Sequence, residues 1–100
     1  MRRLFIGIIS VFVLLTSSSK AENGKNVYYT MCYFCHDDGL VGSPIIGDAE
    51  EWDKRRKKGL EKLYQNTLSG TGHMMERLDR RGFNKTDIKN AVDYLLEQSK

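Results

Sequence analysis

From Asn84 onward, apolar side chains recur at intervals of three and four, so that Ile88, Ala91, Val92, Leu95 and Leu96 fall on one stripe of a helix. Asn84 stands where a side-chain oxygen caps the first turn, and Asp87 follows where negative charge favours a helix N-terminus. Leu60, Leu63, Tyr64 and Leu68 predict a second helix, ended by Ser69-Gly70-Thr71-Gly72. Gly24, Val27, Tyr28 and Met31 predict a third, from Asn23 as N-cap to about Cys32. Gly39, Gly42, Pro44 and Gly47 break the next stretch into an ordered loop. Asp48 to Lys58 is polar, with one or two helical turns around Trp52, and His73 to Phe83 reads as loop with at most a turn of helix. No strand alternation, repeat or low-complexity tract interrupts this pattern, which predicts an all-α class with long loops.

The first 21 residues follow another pattern. Met1-Arg2-Arg3 is basic, Leu4 to Leu15 is apolar apart from Gly7 and Ser10, and Thr16 to Ala21 is small and polar. This is the order of a secretory signal peptide, with cleavage expected after Ala21 at Ser19-Lys20-Ala21. An apolar run of this length is shorter than the roughly 20 residues that span a bilayer, so a retained anchor is the weaker reading. The expected division is a signal over 1–21 and one domain over 22–100, placed in the periplasm.

Cleavage alters the charge. The formal +3 of the chain includes Arg2, Arg3 and Lys20, whereas all 13 acidic residues lie at or after Glu22. The remainder is formally neutral, and its whole-chain charge points to neither nucleic acid nor a membrane surface as partner. It is also small. A domain of fewer than 80 residues buries a modest core and commonly relies on disulfides, a metal or a large cofactor.

The two cysteines offer that support. Cys32-x-x-Cys35-His36 is the attachment signal of a c-type haem, in which both thiols add to the porphyrin vinyl groups as thioethers and the adjacent histidine is directed at the iron. The competing readings are weaker. A disulfide between Cys32 and Cys35 would close a tiny loop and stabilise little. A thioredoxin-like redox pair needs a strand–helix pattern absent here, and zinc would need further donors where only His73 remains. Export fits covalent haem attachment, which takes place outside the cytoplasm, and a porphyrin would supply an apolar core.

With these residues in view, the chain resembles the small class I monohaem cytochromes c of bacteria, particularly the short cytochrome c-five subgroup. The resemblance runs through Gly24-x-x-Val27-Tyr28, the Cys32-x-x-Cys35-His36-x-x-Gly39-x-x-Gly42-x-Pro44 series, Gly47-Asp48, Trp52-x-x-Arg55, Gly59, Leu63 and Ala91-Val92-x-Tyr94-Leu95. It implies a small cytochrome c fold, three to four short helices with long loops wrapped around one haem. It further implies that Gly24 and Tyr28 cross the last helix near Ala91 and Tyr94, and that the Pro44 carbonyl accepts a hydrogen bond from His36 Nδ1. Trp52 and Arg55 are implied near the haem propionates, the arginine offsetting carboxylate charge, although Trp52 equally suits ordinary core packing.

The distal ligand is narrowed by elimination. Met1 leaves with the signal and Met31 abuts the proximal site, so Met74 and Met75 remain, with His73 as a third candidate. The family's Gly-x-Met pattern matches Gly72-His73-Met74 and favours Met74. Met75 stands where the family has proline, and Glu76 to Arg80 intervene before Arg81-Gly82, so this loop departs from the pattern. A thioether opposite imidazole favours ferrous iron and saturates it, which makes the expected role one-electron transfer without a small-molecule substrate. The expected partners are redox proteins and, during maturation, the haem-attachment machinery. A haem enzyme or gas sensor with a labile distal site, and a haem subunit of a larger complex, remain as alternatives. The basic run Lys54-Arg55-Arg56-Lys57-Lys58 reads as a solvated face or a weak docking patch; an exported chain without a nucleic-acid motif gives no support to nucleic-acid binding.

Overall fold

The computed structural model describes residues 18–72, 74 and 82–100, and among these every regular element is helical. Helices α1 (Ser18–Val27) and α2 (Tyr33–His36) are joined by a π-helical turn, Tyr28–Cys32, in which the Tyr33 N–H donates to the Tyr28 carbonyl. The helix thus starts earlier than the sequence pattern suggests, because Lys20, Ala21 and Glu22 are good helix formers. It also ends later, since nothing breaks it before Gly39, whose φ is 80°. Asn23 is consequently not an N-cap. Its Nδ2 donates instead to Asp87 Oδ1 at 3.2 Å, tying the first helix to the start of the last.

Helix α3 (Ala49–Arg56) is capped by Asp48, which accepts from the Glu51 N–H at 3.3 Å. Glu50 and Glu51 lie in its first turn and Lys54, Arg55 and Arg56 in its last, each sign at the end of the dipole that favours it. Helix α4 (Leu60–Ser69) ends at Gly70, whose left-handed conformation lets its N–H bond back to the Asn66 carbonyl. Helix α5 (Lys85–Glu97) opens with a reciprocal capping box: Asn84 Oδ1 accepts from the Asp87 N–H at 2.8 Å, and Asp87 Oδ2 from the Asn84 N–H at 3.0 Å.

The fold is built on the crossing of α1 with α5. A Cβ at Gly24 would collide with the Asn90 carbonyl oxygen, so only glycine lets the two backbones meet at this distance. Beyond the crossing, Val27 and Met31 pack with Ile88 and Ala91, while Tyr28 packs with Trp52 and Leu95. Cys32 lies against both groups, which places the first thiol at the centre of the helical framework. Two polar links then hold the loops to α5. Ser99, fully buried, donates to the Leu95 carbonyl and accepts from the Gly47 N–H, each at 2.8 Å. Arg56 Nη2 donates to the Leu96 carbonyl at 2.5 Å. Among the described residues no helix is long and apolar enough to cross a membrane.

Candidate haem site

A cavity of about 310 Å³ opens between the helices, and Cys32, Cys35 and His36 stand on its wall. The π-turn brings them there: it adds a residue to the turn before Cys32 and so resets the angle between the Val27–Tyr28 face and the residues that follow. Both cysteines are free thiols. Burial, aided by the neighbouring Cys35, pushes the Cys32 thiol up to about 12. A thiol held so firmly protonated is a poor attacking thiolate.

The loop after α2 doubles back over the histidine. Gly39, Val41 and Gly42 all adopt left-handed backbone, and the Ile46 N–H donates to the His36 carbonyl at 2.8 Å. This reversal sets the Pro44 carbonyl 2.7 Å from His36 Nδ1. A carbonyl can only accept, so the hydrogen bond requires the proton on Nδ1 and leaves the Nε2 lone pair available to a metal. Burial lowers the His36 pKa, the positive charge of Arg55 adds to the effect, and the bond to Pro44 opposes it. The imidazole is therefore neutral at neutral pH, the form that ligates iron.

Trp52 is buried, and its Nε1 donates to the Ile45 carbonyl at 2.8 Å, so the indole meets the cavity through its ring. Its centroid is 6.0 Å from that of His36. Arg55 also lines the cavity, with its guanidinium 5.9 Å from the Trp52 ring centroid and bonded to Glu51. Met74 is on the wall too, held near α4 by its N–H to the Thr71 carbonyl at 3.4 Å. His73, Met75 and residues 76–81 lie outside the described residues.

Other lining residues were not singled out by sequence. Asn66 and Thr67 lie three and four residues beyond Leu63 on α4, so extending the helical face from Leu63 would have found them. Lys58, three residues after Arg55, has the same kind of signal. The remaining wall is largely apolar, with Leu63, Ile88, Ala91, Val92 and Leu95 contributed by α4 and α5. Apolar faces, two unpaired thiols and an imidazole with one free nitrogen suit a flat, covalently tethered porphyrin.

Helices closed around such a cavity define the class of small c-type haem proteins. The chain belongs to the cytochrome c family: the family model described as cytochrome c oxidase, cbb3-type, subunit III matches residues 19–95. Cytochrome c-555 of Chlorobaculum thiosulfatiphilum is 33% identical over 84 residues, which cover 80% of this chain and 98% of that protein. Cytochrome c5 of Azotobacter vinelandii is 38% identical over 74 residues, 72% of this chain and 89% of the relative. In structure the chain is similar to a cytochrome c solved in an electron transfer complex with nitrite reductase, with a TM-score of 0.70, 24% identity, and coverage of 78% of this chain and 95% of that one. These relatives are small monohaem cytochromes, and the cofactor of the family is covalently bound haem c. Cytochromes of this kind carry electrons.

Proposed function

We propose that the chain is an exported one-electron carrier, with a single haem c joined through Cys32 and Cys35, His36 as proximal ligand and Met74 as distal ligand. The observation that carries this reading is the convergence of both free thiols, the neutral imidazole and the Met74 side chain's residue on one apolar cavity. The haem supplies an iron that cycles between ferric and ferrous states. The chain supplies the tethers, the Pro44 bond that fixes the imidazole tautomer, and the Trp52 and Arg55 wall toward the propionates. With both axial positions filled by protein there is no place for a substrate, and the role is transfer rather than bond-making.

The apolar segment Leu4–Leu15 and the cut after Ala21 would deliver the chain to the periplasm, where the attachment machinery adds the haem. Its partners are redox proteins. A nitrite reductase, which accompanies the structurally similar cytochrome c in an electron transfer complex, is one example of such a partner.

Carbon monoxide tests the reading. The reduced protein is expected to titrate as a one-electron couple and to leave its spectrum unchanged under carbon monoxide. Rapid binding of the gas would mean an open iron and a ligand-binding role. A second reading, a haem subunit of a larger redox complex, is favoured by the oxidase-subunit description of the matching family model. Purification from the native membrane fraction with a stoichiometric partner would select it over the free carrier.

A further inference from the structure

Among the described residues lining the cavity, Arg55 and Lys58 alone carry a permanent charge, and both are basic. The resemblance assigns the propionate-facing charge to Arg55, but the geometry divides the work differently. Arg55 Nη2 lies 2.8 Å and Nε 3.1 Å from the same oxygen, Glu51 Oε2. The Glu51 carboxylate offsets part of the guanidinium's charge, although Arg55 still acts on His36. Arg55 keeps free N–H groups that can donate hydrogen bonds, while its field is weakened by the paired carboxylate.

Lys58 is in the opposite condition. Its side chain has no ion-pair or hydrogen-bond partner among the described residues, and the turn that follows α3 folds it back beside Arg55 through the Lys58 N–H to Arg55 carbonyl bond at 3.1 Å. The other cations of the run lie elsewhere. Arg56 is engaged by Asp53 at 2.7 Å and by the Leu96 carbonyl, while Lys54 and Lys57, exposed like Lys58, lie off the cavity wall.

We propose that Lys58, more than Arg55, presents net positive charge to the haem propionates, and that Glu51 determines this by pairing with Arg55. The inference rests on the haem reading above. Two ionised propionates on this side would bring two negative charges to a wall on which the Glu51–Arg55 pair formally sums to zero, leaving Lys58 as the unpaired cation available to them. A positive charge there disfavours the extra charge of ferric iron and holds the potential up. Glu51 and Lys58 are thus positioning residues for the potential, acting through charge without touching the iron.

The test is the midpoint potential of the haem-loaded protein at fixed pH and ionic strength, compared among Lys58→Gln, Lys57→Gln, Glu51→Gln and the Glu51→Gln/Lys58→Gln pair. Lys58→Gln is expected to lower the equilibrium constant for reduction by about three- to tenfold, from one unit charge at intermediate dielectric. Lys57→Gln, the same charge change one residue away, is expected to shift it much less. Glu51→Gln releases Arg55 and is expected to raise the potential, and the double variant to return close to the parent. A Lys58→Gln shift no larger than that of Lys57→Gln, or a Glu51→Gln shift downward, overturns the proposal while the carrier reading stands. A chain that takes up no covalent haem under maturation conditions, seen in its absorption spectrum, overturns both.

Discussion

The Gly24 α-carbon lies directly against the Asn90 carbonyl, with no room for a methyl group between them. The crossing of α1 and α5 depends on that approach, because the paired clusters around Cys32 form only if the two helices keep this distance. Gly24→Ala must push the backbones apart, and overpacking of this kind costs about 1–3 kcal/mol or more. Lys25→Ala, one residue away on the exposed face, is expected to stay within about 0.5 kcal/mol of the parent. Thermal unfolding of the two variants side by side measures the difference, and equal midpoints would count against a close crossing.

Ser99 links the last turn of the chain to the loop that follows the haem motif, by accepting from the Gly47 N–H and donating to the Leu95 carbonyl. Ser99→Ala leaves a part-buried N–H without its acceptor. The expected loss is about 1–2 kcal/mol, with faster hydrogen exchange at the Gly47 amide as the local signature. Unchanged exchange at Gly47 would place the loop's support elsewhere.

Val41 carries strain in the same loop. Its φ of 49° is left-handed, a conformation costly for a β-branched residue, and the residue, although on the cavity wall, is 63% exposed and so packs little against the rest of the chain. Val41→Gly removes the strain but adds freedom to the unfolded chain. The balance is expected to be a stabilisation of about 0.5–1 kcal/mol in chemical denaturation. A destabilised Val41→Gly would mean that the side chain makes a contact of value in the folded protein.

Tyr64 ties α4 to α5 by donating to Asp93 Oδ1 at 2.5 Å, and burial together with that carboxylate pushes its phenol from the usual 10 up to about 12. The fold therefore favours the neutral phenol. The stability this gives is fully present below pH 10 and is lost as the pH climbs toward 12. Tyr64→Phe lacks the hydrogen bond and is expected to be less stable at pH 8, but it has no phenol to ionise. Denaturation followed by far-ultraviolet circular dichroism should show the gap to the parent narrowing between pH 10 and pH 12. A gap constant with pH would contradict the linkage.

What could be read from the sequence differs from one element to the next. The stripe from Ile88 to Leu96 and the Asn84–Asp87 box were legible because the periodicity and the cap agree, and α5 has the expected start. The Leu60–Ser69 helix and its glycine stop were equally plain. The first helix departs from its sequence pattern at both ends. Asn23 has the chemistry of a cap, but its amide is used across the fold, on Asp87, and a tertiary partner leaves no local trace. The π-turn at Tyr28–Cys32 is invisible for a similar reason, since it is fixed by packing rather than by propensity. At the site, Cys32, Cys35 and His36 announce themselves by spacing. The pairing of Arg55 with Glu51 depends on the rotamers of both side chains, and so the unpaired charge of Lys58 could be recognised only in three dimensions.

The proposed carrier holds a haem tethered at Cys32 and Cys35 and ligated by His36 and Met74. Absorption spectra of the purified haem-loaded protein, oxidised and reduced, address it directly, including the weak long-wavelength band that reports iron–sulfur ligation. The prediction is a c-type spectrum that persists when the denatured chain is stripped of free haem, with a sulfur band lost in Met74→Ala and kept in Met75→Ala. A band that survives Met74→Ala, or covalent haem with no sulfur band in the parent, would contradict it.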